Sequence, residues 1–406
     1  MARDSGDGIK HPLPMIPIAK PCLDEREADA VRRVILSGWI TQGPEVAAFE
    51  REFSAAVGSA HACAVSNCTT GLHLMLLAAG VKPGDEVITV SHSYIATANS
   101  VRYCGAIPVF VDIDPETYNI SPALVEKAIG PKTRAILCVH QIGMPCDLAS
   151  LTEIAQKHSI VLLEDAACAI GSEIYWKGKW ERIGKPHGDA ACFSFHPRKI
   201  LSTGDGGMIT TKHKEWDAKF RLWRQHSMSV ADTVRHGSNK VIFESYPEIG
   251  FNYRMTDVQA AIGREQLKRL PELVARRREL ADRYRSLLGD LDLPIRLPFE
   301  PEWARSNWQS YCVRLADDLD QVEVMQALLD NGIASRRGIM CSHREPAYQK
   351  EPWRAADTLH ASESAQEKGV LLPLFHQLTD SDQQFVAAQL RSAVLNKKPA
   401  AQACAT

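Results

Sequence analysis

No apolar run in this 406-residue chain approaches the ~20 residues needed to cross a bilayer. The segment from Met1 to Pro12 lacks the apolar stretch of a signal peptide, so a cytoplasmic protein without a membrane partner is expected. Neither charge is in excess: 47 Lys and Arg stand against 49 Asp and Glu. That balance leaves no basic footprint for nucleic acid. Cys-x-x-Cys, His-Glu-x-x-His, Gly-x-Ser-x-Gly and Gly-x-x-x-x-Gly-Lys-Ser/Thr are all missing. Their absence removes the usual signs of a zinc ribbon, a zinc peptidase, a serine hydrolase and a P-loop enzyme. The 11 cysteines are scattered and odd in number, which argues against a disulfide framework. Cys138-Val139-His140 and Cys341-Ser342-His343 lack the second ligand pair that zinc requires, so no metal is expected.

What the chain has is an ordinary globular composition, 45% hydrophobic and 24% charged. Its length suits two or three domains. Residues 1–12 read as a loose arm. A helix starts after Asp24, with Glu27 completing a capping box, and stops at Gly38. A second helix spans Gly43–Val57. Strands and helices then alternate: strands at Ala62–Ser66, Glu86–Val90, Pro108–Val111, Ala135–His140, Ile160–Glu164, Ala190–Ser194 and Met208–Thr211, with helices at Thr69–Ala79, Ile95–Tyr103 and Leu148–His158. Such units predict a mostly parallel sheet covered by helices, with ligands beyond the carboxyl ends of its strands. After Asp257 a long helical pattern runs to Leu287, and Pro271 is expected to interrupt it. A strand at Ser310–Leu315 and helices at Gln321–Asn331 and Asp380–Leu390 complete a smaller α+β domain. The expected division is an arm at 1–12, a large domain at 13–257, a small domain at 258–396 and a disordered tail at 397–406.

Three segments carry chemistry when read together. Ser66-Asn67-Cys68-Thr69-Thr70 lies at a strand-to-helix junction, where free N–H groups and hydroxyls form either a simple helix cap or an anion site. Glu164-Asp165 ends an apolar strand, placing a carboxylate where a cationic ring nitrogen, a metal or a ribose hydroxyl could bind. Phe193-Ser194-Phe195-His196-Pro197-Arg198-Lys199 precedes a glycine-rich turn, Thr203–Gly207. A lysine so flanked is partly desolvated, which is expected to lower its pKa and free its neutral amine for Schiff-base chemistry. An anion cradle, an acid and an amine are the protein parts that pyridoxal phosphate (PLP) needs.

The chain resembles the DegT/StrS family of PLP-dependent aminotransferases, which act mostly on nucleotide-linked keto-sugars. The likeness runs from about Ile16 to Leu390. It rests on Ser37–Pro44, Ser66–Leu74, Tyr94–Asn99, Glu164–Ala167, Ser194–Gly207, Gly250–Asp257 and Leu372-Pro373-Leu374. The resemblance implies the aspartate-aminotransferase fold (fold type I), an α/β architecture with a large, mostly parallel sheet domain and a small α+β domain. By the same resemblance Lys199 would form the internal aldimine and shuttle a proton. Asp165 would pair with the ring nitrogen, and Tyr94 would stack on the ring. Cys68, Thr69 and Ser194 would hold the phosphate. Asn252 would reach the phosphate of a neighbouring subunit, which implies a homodimer with shared sites.

Some positions depart from the family pattern. Cys168 stands where Gln or His is common, near the cofactor's ring hydroxyl, and Ile170 replaces a common His. Arg336–Met340 replaces a Tyr-x-Pro element, while His343 and Tyr348 match the family's downstream His and Tyr. Arg336 and Arg337 could bind a diphosphate or a donor carboxylate, or sit solvated. His196, Arg336, Arg337, His343 and Tyr348 are the candidate substrate residues. Trp39, Trp176 and Trp180 could border a sugar or serve packing. The expected activity is ping-pong transfer of an amino group from L-glutamate to a keto-sugar, with pyridoxamine phosphate (PMP) as the intermediate form. Alternatives are a cyclitol or other free ketone as acceptor, a PMP-dependent sugar dehydratase, which Lys199 argues against, or a ligand sensor without turnover.

Overall fold

The structure is a computed structural model and describes residues 15–230, 235, 238–289 and 291–395. The expected arm at 1–12 and tail at 397–406 lie outside the described residues. Among the described residues no helix is long and apolar enough to cross a membrane, and the ten cysteines are free thiols.

The strands are, in chain order, β1 (His61–Val65), β2 (Glu86–Val90), β3 (Ile107–Val111), β4 (Thr133–Val139), β5 (Val161–Asp165), β6 (Glu173–Trp176), β7 (Lys179–Arg182), β8 (Ala190–Ser194), β9 (Gly207–Thr211), β10 (Ile295–Arg296), β11 (Ala304–Arg305), β12 (Tyr311–Leu315), β13 (Arg336–Arg337), β14 (Arg354–Ala355) and β15 (Gly369–Leu372). The main sheet has eight strands in the order β1-β9-β8-β5-β4-β2-β3-β14. From β8 to β14 every neighbouring pair is parallel. Both pairs made by β9 are antiparallel, so β1 runs in the same direction as β8. The carboxyl ends of β1, β2, β4, β5 and β8 therefore share one edge. Four-stranded (β10-β12-β15-β13) and three-stranded (β11-β6-β7) sheets lie outside it.

The local rules are visible at the first helix, Glu25–Ser37. Asp24 accepts from Arg26 N, Glu27 Oε2 accepts from Asp24 N (2.8 Å), and Gly38 closes the helix at φ 75°. Apolar strands buried on both faces follow from helices on both sides of the sheet. On one side Phe49 and Phe53 meet Phe193 and Phe195 at ring separations of 5.1–5.8 Å. On the other, Leu72, Leu74 and Met75 of helix Cys68–Ala78 pack with Val87, Leu137 and Leu163.

Two expectations about the C-terminal part are corrected. Pro271 does not interrupt the long helix, which runs as one element, Asp257–Gly289. Proline removes the N–H that would reach Leu267 O. Burial of Leu267, Leu270, Leu273 and Val274 around it offsets that loss. The same helix also moves the division expected at 257. Its first half packs with the main core, whereas Leu280, Ala281, Tyr284 and Leu288 pack with the small sheet. Beyond it, β14 joins the edge of β3, and Tyr348 and Leu359 pack on Phe110. By contact, this later stretch belongs to the larger unit.

Candidate active site

The shared carboxyl edge brings the three chemical segments together. In register, Val65 of β1 and Ser194 of β8 both face Gly207 of β9. The helix that starts at Cys68 therefore sits beside the strand that delivers Ser194. Asn67 caps it by accepting from Thr70 N (3.0 Å). Cys68 and Thr69 N–H, in the first turn, have no intrahelical carbonyl to bond, which makes this end an anion cradle. A Cβ on Gly207 would lie 2.7 Å from Asn67 C and 2.8 Å from Cys68 N. Only a glycine lets β9 pass this close to the cradle. Gly207→Ala is expected to push the helix start aside and weaken cofactor binding about tenfold, equivalent to ~1.4 kcal/mol. Equilibrium titration with PLP reads this directly.

Asp165 ends β5 and is buried. Its Oδ2 accepts from Thr97 Oγ1 (2.8 Å) and its Oδ1 from Ala167 N (3.1 Å). Thr97 is held in turn by Ser93 Oγ at 2.8 Å. Burial pushes the Asp165 carboxyl above its ordinary value, and the two hydrogen bonds only partly oppose it. A ring cation set against this buried carboxylate would favour its ionised form.

Lys199 lies in the turn after β8, its N–H donating to His196 O (2.8 Å). Its Nζ is 2.9 Å from Cys168 Sγ. The expected fall in its pKa is not found. Burial acts downward, but Cys168, Cys68 and Asp165 favour the ammonium, and the net shift is upward. The sequence reading weighed desolvation and missed the acidic groups that the fold gathers around the amine.

The other candidates divide. Tyr94, on the loop after β2, is 65% exposed. Asn252 is exposed and bridges Gln225. His196 Nδ1 accepts from Arg198 N (3.2 Å), and burial depresses its pKa, so it is a neutral ring built into the lysine turn. His343 is engaged at both nitrogens, with Ser91 Oγ 2.6 Å from Nδ1 and Glu363 Oε1 3.1 Å from Nε2. This Ser-His-Glu chain resembles a hydrolase triad, but Ser91 is fully buried, so it can only tie 342–344 to the end of β2. Tyr348 is buried and donates to Asn99 Oδ1 (3.0 Å). Arg336 and Arg337 are exposed on β13, and Arg337 pairs with Glu345 at 3.2 Å. Trp39 Nε1 donates to Gln42 O, Trp176 packs on His187, and Arg305 stacks 3.8 Å over Trp180.

The sequence reading missed Thr97 as the partner of Asp165, although it lies inside the quoted Tyr94–Asn99 segment. It also missed the loop 306–309, which has no local signal at all.

The residues gathered here fit PLP: a cradle too narrow for a Cβ, a buried acid and an amine at the same edge. The sequence profile of the DegT/DnrJ/EryC1/StrS aminotransferase family matches residues 21–391. The chain is 40% identical over 381 residues to the GDP-perosamine synthase of Caulobacter vibrioides, covering 93% of this chain and 98% of that one. It is similar to the aminotransferase TlmJ from Streptoalloteichus hindustanus, at 34% identity and TM-score 0.85, covering 94% of this chain and 99% of that one. Spr1654 of Streptococcus pneumoniae, solved in PMP and PLP forms, is 26% and 27% identical with TM-scores of 0.86 and 0.85. In both cases 94% of this chain and 99% of that one are covered.

Proposed function

The chain belongs to the DegT/DnrJ/EryC1/StrS aminotransferase family, a family of PLP-dependent sugar aminotransferases, and from that premise we propose that it transfers the amino group of L-glutamate to a nucleotide-linked keto-sugar. The observation that carries this reading is the convergence of Lys199 Nζ, the Asp165 carboxylate and the cradle at Cys68–Thr69 on one sheet edge. The nucleotide-linked acceptor is supported by likeness to an enzyme named for a GDP-sugar.

When bound, PLP supplies an electron sink for the substrate carbon that loses and regains a proton. The chain supplies the rest. Cys68 N–H, Thr69 and Ser194 hold the phosphate. Asp165, fixed by Thr97, holds the ring nitrogen protonated. Tyr94 covers the ring. Lys199 would anchor the group covalently, and its Nζ would serve as the base and acid that moves the proton. Asn252, exposed on a single chain, reaches the phosphate of a second subunit in a homodimer. Cys168, beside Lys199 Nζ, would sit near the ring hydroxyl. Of the two arginines, Arg336 is assigned to an anionic group of the substrate, since Arg337 is tied to Glu345.

Absorbance spectroscopy tests the donor half-reaction. L-glutamate is expected to bleach the visible band of the lysine-bound cofactor, and a nucleotide-linked keto-sugar is expected to restore it. A band indifferent to glutamate, or one restored only by a free ketone such as a cyclitol ketone, overturns the donor or the acceptor assignment respectively.

A further inference from the structure

Lys199 is held from a direction that nothing in its own segment suggests. The loop 306–309 enters β12 from the C-terminal part and lies against the lysine turn. Gln309 Nε2 donates to Arg198 O (2.6 Å), and its Oε1 accepts from Ile200 N (3.2 Å). One side-chain amide thus brackets the lysine on both sides. Two residues earlier, Asn307 Nδ2 donates to Cys168 O and to Ile170 O, each at 2.8 Å. The Asn307 Oδ1 accepts from Gln309 N at 2.9 Å, coupling the two amides. Gln309 is 8% exposed and Asn307 is fully buried, so water cannot replace what they provide.

The loop itself is tightly determined. Trp308 has φ 51°, in the left-handed region that a bulky residue rarely adopts. It stays there because Ser306 Oγ accepts from its N–H (3.0 Å), and because buried Arg277 Nη1 donates to Trp308 O, Gln309 O and Leu374 O, each at 3.1 Å. A strained residue held from several sides indicates that the position of its neighbours matters.

We infer that Gln309 is a positioning residue for Lys199, fixing the lysine backbone so that Nζ stays against Cys168 and the reacting centre. The inference rests on Lys199 being the cofactor lysine. A side-chain amide suits the task because it presents one donor and one acceptor together. A carboxylate offers acceptors only and would repel Arg198 O, whereas a protonated carboxyl again offers one of each. The charged and titratable groups facing Lys199 Nζ are Cys168, Cys68, Asp165 and His196, and Arg277 is the cation against the Gln309 backbone.

The test compares PLP-loaded wild type with Gln309→Ala, Gln309→Glu and a control, Gln383→Ala. Gln383 is a buried glutamine whose amide donates to Leu280 O in the small-domain core. The readouts are kcat, PLP affinity and the pH titration of the visible absorbance band. Gln309→Ala is expected to lose about 10²-fold in kcat, the cost of a catalytic group misplaced by about 1 Å. Its absorbance titration is expected to shift in pH, while Gln383→Ala moves only the melting temperature. Gln309→Glu is expected to bind PLP weakly near neutral pH and to recover toward wild type as pH falls. If Gln309→Ala does not fold, Gln309→Glu decides alone. Variants that titrate and turn over like wild type, with only a lower melting temperature, overturn the inference. A wild type without any lysine-dependent band instead overturns the assignment of Lys199, which separates the two failures.

Discussion

Lys199→Ala is expected to abolish turnover, by about 10³-fold or more, while the protein still binds PLP without the visible band of the covalent form. The size follows from the two tasks placed on one atom. In the proposed reaction Nζ is both the nucleophile that anchors the cofactor and the acid-base group that moves the substrate proton, and positioned proton transfer alone contributes ~10²–10⁴-fold. Binding survives because the cradle is built elsewhere. Cys68 and Thr69 reach the edge on the helix that follows β1, and Ser194 reaches it at the end of β8. Lys199→Arg separates charge from covalency, since it keeps a cation near Cys168 and Asp165 but cannot form the bond. Equal inactivity of the two variants is expected. Turnover within tenfold of wild type in either would remove Lys199 from the reaction.

The outline of this site was legible because its parts sit at strand ends, and strand ends are readable from local pattern. Glu86–Val90, Leu148–His158 and Ala190–Ser194 have the expected bounds to the residue. Most others shift by one or two positions, as element ends do, but the last helix runs five residues past the expected Leu390, to Leu395. Elements without a long apolar period were missed. The hairpin of β6 and β7 turns at Lys177 (φ 47°) and Gly178 (φ 90°), the positive-φ pair that a two-residue hairpin needs. The Lys177-Gly178 pair is its one local signal. The partners of the proposed catalytic residues were harder still. Gln309 meets Ile200 across 109 residues, and no spacing rule reaches that far. The upward shift at Lys199 was hidden for the same reason: burial is guessed from flanking residues, but Cys168 and Asp165 are brought alongside only by folding.

Asp257→Ala is expected to destabilise the fold by about 3–5 kcal/mol, read as a lower urea midpoint, although the residue ends a motif whose Asn252 is assigned to the cofactor. Asp257 is the first residue of the long helix, yet it acts on another. Its Oδ1 accepts from Gly43 N (2.7 Å) and Val46 N (3.0 Å), and its Oδ2 accepts from Glu45 N (3.1 Å). These amides open helix Pro44–Val57, whose own cap position, Gly43, has no side chain to satisfy them. A carboxylate more than two hundred residues away therefore does the capping, and it is 2% exposed, so water is a poor substitute. Each buried amide left without a partner costs about 1–3 kcal/mol, and a lost cap about 1 kcal/mol. The damage spreads because Phe49 and Phe53 of the uncapped helix pack on Phe193 and Phe195, the residues flanking Ser194 before the lysine turn. Asp257→Asn, with one acceptor oxygen in place of two, is expected to fall between wild type and Asp257→Ala. Asn252→Ala is expected to weaken PLP binding and leave the urea midpoint of the cofactor-free protein unchanged. An Asp257→Ala protein with a wild-type midpoint would mean that the three amides find other partners, and the distant cap would carry no stability.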